Sequence, residues 1–412
     1  MAWQRAIPLG STDRLRRADI PVVTDRRRTS SASDVLRAVL DHGPVPRSTI
    51  ARVAGLSPAA VGRHCADLVH AGLVREVARQ GGGNSVGRPH VPVDISDERH
   101  VVCGLHIGAT ASTLAVVDLR GQVIARESDS HGGQAAADVL TRAARRIPVF
   151  AAEHAPQRQP IGLGVAAGGW IDPVAGVVVD HPALGWRDMP ARDLLSGTAG
   201  LPVRIDGHAR ALIKAEQLFG DRRSRDSVVH MFVGNVVDAA FATGGMVHTG
   251  PRSAAGSVAH LPVGERWGTC QCGQSGCLQA AVGDDAIARR AASAGVIAEP
   301  SFLALLASAS EGATGALRLM RERARLVGRA AAMLFDVLNP DLLVVAEAGA
   351  IRLPGCLDVM RAEVANRSRN CRDPSRMVVA TSFGIDVLPV SAGAVMLDAI
   401  YADPLADGIN LW

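Results

Sequence analysis

The sequence lacks the features of a membrane or secreted protein. Its charge-free stretch 101–117 contains Gly, Ser, Thr and His106, so it is not the unbroken apolar run that a bilayer-spanning helix needs. The Arg-bearing N-terminus has no apolar signal core. The seven cysteines are odd in number, and three of them crowd into residues 270–277, which favours metal binding over disulfide-stapled loops. We therefore expect a soluble, cytoplasmic protein in a reducing compartment.

Disordered and low-complexity sequence is also scarce. With 48% hydrophobic, 20% charged and 3% aromatic residues, the composition is globular. At roughly 100 to 200 residues per domain, the 412 residues allow two to four domains. Lysine is nearly absent, Lys214 being the single example, and we attach no function to the arginine bias. Residues 1–99 hold 15 basic and 10 acidic side chains against 29 and 30 in the remainder, so the excess positive charge lies at the front.

The first 30 residues predict a flexible arm. They carry seven Arg, including Arg26, Arg27 and Arg28, with three Asp and no hydrophobic periodicity. Such an arm either contacts nucleic-acid phosphates without sequence preference or is a solvated tail without a function.

Residues 33–71 predict three short helices. Ser33 is the expected cap of the first helix, and the second spans residues 47–53 with Ile50 and Val53 turned inward. The apolar residues of the first helix recur at helical spacing: Val35, Leu36, Val39 and Leu40.

The third helix, from Pro58 to about Ala71, is the candidate DNA-reading element, with Ser57 as its cap. Its expected buried face is Val61, Leu68 and Val69. Short outward residues at its start would let the helix enter a major groove, where Arg63 could reach guanine edges or phosphates. The candidate DNA-contacting residues of this region are Arg47, Ser57, Ala59, Ala60, Arg63 and His64.

A strand, loop and strand pattern follows the third helix. Strand 73–77, loop 81–84 and returning residues 91–93 predict a winged helix-turn-helix over residues 31–92, a module that binds double-stranded operator DNA. Arg88 at the tip, held extended by the proline after it, suits a narrow minor groove. The alternative is an ordinary small helical domain with a hairpin.

Residues 93–412 alternate short apolar runs with glycine turns and helices, which predicts an α/β fold. The first half has expected strands at 101–108, 113–118, 121–125, 161–166 and 202–205, with helices at 135–150 and from 206 through 216. The second half repeats the theme, with strands at 228–233, 238–243 and 342–345 and helices at 314–338 and 392–401. The repeated pattern predicts two lobes with a cleft between them.

The order of these features closely resembles the ROK family of repressors and sugar kinases, over nearly all of residues 31–412. The resemblance rests on the winged helix, the glycines and threonine of turn 104–110, the segments Trp186–Pro190 and Leu338–Asp341, and the cysteine cluster. It implies a two-lobed actin-like ATPase fold over residues 93–412, with a sugar in the cleft. It also implies a homodimer or a higher homo-oligomer that binds operator DNA, with repression as its habit.

Four metal-ligand side chains form the strongest chemical signal: His260, Cys270, Cys272 and Cys277. Three thiolates and an imidazole make a closed tetrahedral set, which predicts a structural zinc ion at residues 260–277. The alternative is three unligated thiols in a loop. In the resembled family the ion braces the loop next to the sugar, so a metal here would support ligand recognition indirectly.

The phosphate-binding motifs of the resembled kinases are altered. In the first phosphate turn, His106 replaces the acid that would help to hold Mg²⁺. The second turn, 234–238, carries β-branched side chains and Asp238 where backbone amides should approach phosphate. The glycine pair expected near the adenosine has become Ala346–Ala348. We therefore expect no catalytic residues and no enzyme activity.

The sugar-binding positions are altered too. The family's Asn-Asp pair, whose Asp is the general base, aligns with Gly207 and His208. The candidate ligand-binding residues that remain are Asp206, His208, Ser257, His260 and Gln279, with His106 in the lining and Arg210 one turn away. Loss of carboxylates favours anionic or less hydroxyl-rich ligands, so we expect a small-molecule effector such as a sugar derivative.

Three other readings remain open at this point. The protein could be a sugar kinase with a DNA-binding appendage. It could be a ligand-independent regulator that uses the second domain only to dimerise. It could also act through protein contacts alone.

Overall fold

The computed structural model describes residues 30–78, 91–264 and 268–406. Its N-terminal module, residues 30–95 within those ranges, consists of α1 (Ser31–His42), α2 (Arg47–Ala54), α3 (Pro58–His70), β1 (Val74–Glu76) and β2 (Val93–Ile95). The two strands pair antiparallel, so the predicted order of elements is confirmed. The predicted boundary at residue 92 falls just before β2, which belongs to this module. Arg88, loop 81–84 and the arm before Ser30 lie outside the described residues.

The helix caps of the module differ in one place from the prediction. Ser30, not Ser33, caps α1, because its hydroxyl accepts the Ser33 N–H at 3.2 Å. Ser33 lies in the first turn instead, buried, and its hydroxyl donates to the carbonyl of Tyr401 at 2.6 Å. Ser57 caps α3 as predicted and accepts the Ala60 N–H at 3.2 Å.

Two valines predicted to be inside are exposed. The buried stripe of α3 is Val61, Cys65 and Leu68. This is the i, i+4, i+7 pattern of one helix face, and Val69 lies one position off it and remains 36% exposed. The short helix α2 buries only Ile50 among its residues, and Val53 is 46% exposed.

The first lobe of the second domain is built on a five-stranded sheet of order β10-β6-β3-β4-β5. Strands β3 to β5 are antiparallel neighbours, whereas β6 and β10 pair parallel. The third predicted strand begins later than expected. In chain order the elements are β3 (His100–Ile107), β4 (Ala111–Val117), β5 (Val123–Ser130), α4 (Ala136–His154), β6 (Gln159–Ala167), β7 (Trp170–Asp172), β8 (Val177–His181), β9 (Trp186–Met189), α5 (Ala191–Ala199) and β10 (Val203–Gly207). Strands β7 to β9 form a small separate sheet.

The second lobe repeats this topology, with strand order β13-β12-β11-β14-β15. Three antiparallel strands are again followed by two parallel ones, which confirms the predicted repeat. In chain order the elements are α6 (His208–Phe219), β11 (Val228–Val233), β12 (Val237–Thr243), β13 (Met246–Val247), α7 (Leu278–Val282), α8 (Asp284–Ser293), α9 (Phe302–Ser310), α10 (Thr314–Leu338), β14 (Leu342–Glu347), α11 (Ala348–Arg352), α12 (Cys356–Arg367), α13 (Pro374–Met377), β15 (Val378–Ala380) and α14 (Val387–Ala402). Helix α10 has the bounds predicted from the sequence.

Helix α14 returns to the first lobe and packs directly on its sheet. A side chain at Gly164 of β6 would begin 2.1 Å from the Ala392 carbonyl oxygen, so only glycine permits this approach. One apolar core joins the sheet, α14 and the N-terminal module through Leu36, Leu68, Val117, Leu397 and Ile400. Segment Gly384–Ala402 is long and apolar enough to cross a membrane, but 61% of it is buried inside the protein, which is typical of a core helix.

Candidate functional site

A cavity of about 1130 Å³ opens in the cleft. Its size suits a small-molecule ligand. The first lobe contributes Trp170, and α6 contributes its first residue, His208. The second lobe contributes Asp238, Ser257 and His260. The structure therefore brings together His208, Ser257 and His260, three of the predicted ligand-binding residues.

A histidine–carboxylate pair joins opposite sides of the cavity. Nε2 of His208 lies 3.0 Å from Oδ2 of Asp238, a residue of β12. The N–H of Gly169 approaches the same carboxylate oxygen at 3.4 Å. The residue that replaces the family's general base is thus engaged by a carboxylate from the altered second phosphate turn.

Two further histidines lie behind this pair. The His106 ring is parallel to the His208 ring, with centroids 5.9 Å apart. Burial, together with His208 and His181, lowers the pKa of His106 to about 3. Burial and His208 likewise lower the pKa of His181 to about 4. Both imidazoles are neutral near pH 7, so they do not supply the positive charge that would attract an anionic ligand.

Gln279 lines the cavity, but both ends of its amide are used by the protein. Its Oε1 accepts the Val237 N–H at 2.8 Å, and its Nε2 donates to the Asn235 carbonyl at 2.7 Å. Gln279 therefore braces the altered phosphate turn while it lines the cavity, and its predicted contact with a ligand stays a prediction.

Asp206 also differs from its predicted role. Its carboxylate accepts from Arg210 Nε at 2.6 Å and from Lys214 Nζ at 2.8 Å. Burial alone would raise the pKa of Asp206, but Lys214 and Arg210 outweigh it and hold that pKa below its ordinary value. Within the described part of the cleft, Gly207 reaches the cavity surface whereas the 3% exposed Asp206 lies behind it.

The second phosphate turn offers little to a phosphate group. The Val237 N–H is bonded to Gln279, and the Asn235 side-chain oxygen accepts the Asp285 N–H at 3.2 Å. Phosphate cradles work through backbone N–H groups that point at the anion. Here the turn is tied instead to α7 and to the start of α8.

A buried arginine lies beside this turn. Arg323 of α10 is 0% exposed, and its guanidinium lies 2.5 Å from Asp284 Oδ1 and 3.3 Å from Glu347 Oε1. The ring of Phe302 covers the guanidinium at 4.6 Å. Glu347 belongs to the segment that replaces the family's adenosine-side glycines, so a buried ion cluster marks this end of the cleft. Periodicity gave no sign of it, because its members are far apart in the sequence.

The four predicted metal ligands meet at one point. The ligand atoms of His260, Cys270, Cys272 and Cys277 all lie within 4.8 Å of one another. The Cys272 and Cys277 sulfurs are 3.6 Å apart, and Cys270 Sγ is 3.6 Å from His260 Nδ1. A tetrahedral zinc ion at ordinary bond lengths separates two sulfurs by about 3.8 Å and a sulfur from an imidazole nitrogen by about 3.6 Å. The cluster could therefore hold a metal ion of this kind.

The start of α3 faces solvent, as predicted. Ser57, Ala59 and Arg63 are exposed, and Ala60 and His64 are partly exposed. Arg47 is engaged differently: its guanidinium pairs with Glu76 of β1 at 2.6 Å and donates to the Val91 carbonyl at 3.3 Å. Arg47 thus ties α2 to the strands, which is a structural task beside its predicted contact with DNA.

Comparison with known proteins found a matching family and similar relatives. Residues 102–386 match the ROK family. The chain is similar to the transcriptional regulator Rv0485 of Mycobacterium tuberculosis, at 34% identity over 390 residues that cover 91% of this chain and 87% of the relative. It is 26% identical over 354 residues to the DNA-binding transcriptional repressor Mlc of Escherichia coli, covering 82% of this chain and 87% of that protein.

Solved structures share the fold. A ROK family transcriptional regulator described as a homolog of the E. coli Mlc protein superposes with a TM-score of 0.72 at 21% identity, covering 90% of this chain and 96% of that chain. A ROK family glucokinase from Streptomyces griseus, solved with glucose and AMPPNP, gives 0.63 at 22% identity, covering 72% and 98%.

Proposed function

The chain belongs to the ROK family, and on that premise we propose that it is a DNA-binding transcriptional regulator without enzyme activity. In this proposal the N-terminal module is a winged helix-turn-helix that binds operator DNA, and the protein acts as a repressor. Its oligomer is a homodimer or larger, so that two modules meet half-sites about 34 Å apart.

The observation that carries the proposal is the exposed start of α3. Small residues surround Arg63 there, while the opposite face of the helix is fixed in the core by Val61, Cys65 and Leu68. A helix presented in this way enters a major groove with its first two turns, and a guanidinium reads guanine or contacts phosphate.

The ROK domain serves in this proposal as a sensor. The cavity takes a small-molecule effector such as a sugar derivative, contacted by His208, Ser257 and His260. Zinc at the His260 and cysteine cluster is a structural ion, because four protein ligands leave no open position for chemistry. His260 belongs both to the metal-binding cluster and to the wall of the cavity. In this proposal the ion therefore holds that wall of the binding site in place.

The test is binding of the full chain to the promoter of its own gene. Wild type should retard this duplex in preference to a scrambled duplex of equal length, and Arg63→Ala should weaken binding roughly tenfold, the loss expected for one base-reading arginine. Arg88→Ala tests the wing tip in the same assay. Arg318→Ala removes the same charge from an exposed position on α10 and should bind as wild type does.

Equal affinity for both duplexes, or no effect of Arg63→Ala and Arg88→Ala, would show that the DNA-reading residues are misassigned. A regulator that acts by protein contacts alone would bind neither duplex. A genome-wide map of occupied sites would then identify the regulated genes and suggest the effector.

A further inference from the structure

One polar stripe of α1 faces the ROK domain. Ser33, Arg37 and Asp41 are spaced four residues apart, so they lie along one side of the helix. Ser33 donates to the Tyr401 carbonyl of α14, and Arg37 donates to the Gln217 carbonyl near the end of α6. The other side of α1 packs in the core shared with α3.

Asp41 is the most strongly held member of this stripe. Both of its carboxylate oxygens accept from Arg225 at 2.7 Å, and its backbone carbonyl accepts from Arg222 at 3.0 Å. Burial works to raise the pKa of Asp41, but Arg225 and Arg37 outweigh it, so the carboxylate stays ionised. Arg222 and Arg225 both belong to the turn Arg222–Arg225, which comes shortly after the end of α6.

The opposite end of α6 forms part of the cavity. His208 and Arg210 line it from the first turn of the helix. Arg210 is buried and donates to the Ile171 carbonyl on the first lobe and to the Ser253 carbonyl on the second, each at 3.0 Å. The start of α6 is therefore bonded to both sides of the cleft.

The segment 250–255, which we call the strap, carries the second of these bonds. It crosses the cleft, where the Trp170 indole N–H donates to the Arg252 carbonyl at 2.7 Å and the Arg252 guanidinium lies 4.9 Å from the indole ring. Arg252 and Ser253 have φ values of 53° and 57°, a left-handed conformation that side chains other than glycine rarely adopt. A ligand that entered the cavity would meet both this strained strap and the first turn of α6.

We propose that α6 and the turn after it couple the cavity to the DNA-binding module, with Asp41 as the residue that receives the signal. Twelve helical residues span about 18 Å, the distance over which α6 carries a shift from His208 to the contacts with α1. Because α1 and α3 share one core, a displaced α1 reorients α3. This inference rests on the proposed function, since it needs DNA as the second ligand.

Coupling is reciprocal: if a ligand in the cavity changes the affinity for DNA, then bound DNA changes the affinity of the cavity for that ligand by the same factor. We expect bound DNA to alter the cavity segments even when no ligand is present. This allows a test without a known effector. Hydrogen exchange of the full chain is measured by mass spectrometry with and without the promoter duplex of its own gene. In wild type, the duplex should change exchange roughly fivefold in residues 206–212 and in the strap, a typical coupling factor. It should also protect α3.

The decisive variants are Asp41→Asn and Arg225→Gln, which approach the same contact from its two sides. In both, α3 should still respond to DNA while residues 206–212 and the strap no longer do. Asp226→Asn removes the same charge from an exposed neighbour of the contact and should behave as wild type does. Two variants are used so that loss of folding in one does not decide the result.

The outcomes separate the two proposals. If the duplex protects α3 but leaves the cavity segments unchanged in wild type, or if the response persists in both variants, the coupling through α6 is wrong while DNA binding stands. If α3 does not respond in wild type, the proposed function fails and the coupling fails with it.

Discussion

Nε2 of His208 lies 3.0 Å from Oδ2 of Asp238, and this contact joins the first residue of α6 to β12. In a family that includes sugar kinases, a carboxylate at position 208 would serve as general base. Here the carboxylate is that of Asp238 on β12, and the imidazole of His208 lies beside it. We expect each residue to depend on the other, so that changing one of them alone lowers the stability.

Restoring an acid with His208→Asp should therefore destabilise the protein. The new carboxylate would face Asp238 at close range in a largely buried site, and like charges there cost about 1 to 3 kcal/mol. Urea unfolding at pH 7.5 measures the loss. His208→Asn is the matched control, since its side chain is shortened in the same way but carries no charge. Equal stability of the Asp and Asn variants would contradict the pairing.

Phosphoryl transfer should remain absent even when both replaced acids are restored. His106→Asp with His208→Asp leaves the Val237 N–H bonded to Gln279 and the Arg323 cluster in place, so no cradle for a nucleotide is regained. The measurement is hexose phosphorylation from labelled ATP, with several hexoses and with wild type in parallel. Turnover by wild type above the protein-free background would overturn the assignment as a regulator without enzyme activity.

The sequence predicted the elements better than the contacts between them. Periodicity located α10 and β11 at their observed bounds, because a helix or strand is specified by its own residues. It missed the bond between Asp41 and Arg225, whose partners are 184 residues apart. It also placed Asp206 on the ligand, because residue type cannot show whether a polar group is already satisfied by the protein.

The candidate metal ligands were the exception. Short spacing in a chain with few other cysteines identified Cys270, Cys272 and Cys277, and the fold brings His260 to them. Such a cluster is local enough to be specified almost entirely by the segment that contains it. The exposed valines Val53 and Val69 show the opposite case, where an apolar residue was assigned to the core although its side chain is exposed.

Replacing Arg323 tests the buried ion cluster that this residue forms with Asp284 and Glu347. Arg323→Met would leave the carboxylates of Asp284 and Glu347 without their cation, a loss that costs about 3 to 5 kcal/mol for a buried pair. Arg325→Met, at an exposed position on the same helix, should change stability little. Adding Glu347→Gln to Arg323→Met should recover part of the loss, and denaturant unfolding would show whether it does. A cost as small as that of Arg325→Met would contradict the cluster.

Removing one thiol from the metal cluster should release the ion. Cys272→Ser breaks the set of four ligands, and we expect bound zinc, measured by atomic absorption on protein purified without chelator, to fall from about one equivalent to a small fraction. The melting temperature should fall as well, since metal binding contributes to folding. Cys371→Ser, outside the cluster, is the control and should keep its zinc. Wild type without metal, or a Cys272→Ser variant that retains it, would refute a zinc site.

Buried histidines should make the protein sensitive to mild acid. His230 of β11 is 0% exposed, and neither ring nitrogen has a hydrogen-bond partner among the described residues. Burial and His208 lower its pKa from 6.5 to about 3. Between those values the unfolded chain binds a proton that the folded chain does not. The contribution of neutral His230 to the free energy of unfolding is therefore fully present above about pH 6.5. It is lost as the pH falls, by up to about 1.4 kcal/mol per pH unit.

Replacement with an apolar ring of similar size should remove that contribution. Urea unfolding of His230→Phe between pH 7.5 and pH 4.5 should give a shallower fall in stability than wild type, by close to one proton, whatever its stability at pH 7.5. His42→Gln, at an exposed position on α1, should keep the slope of wild type. The same slope in all three proteins would mean that His230 gains a proton in the folded state, and that the strand holding it is open to water.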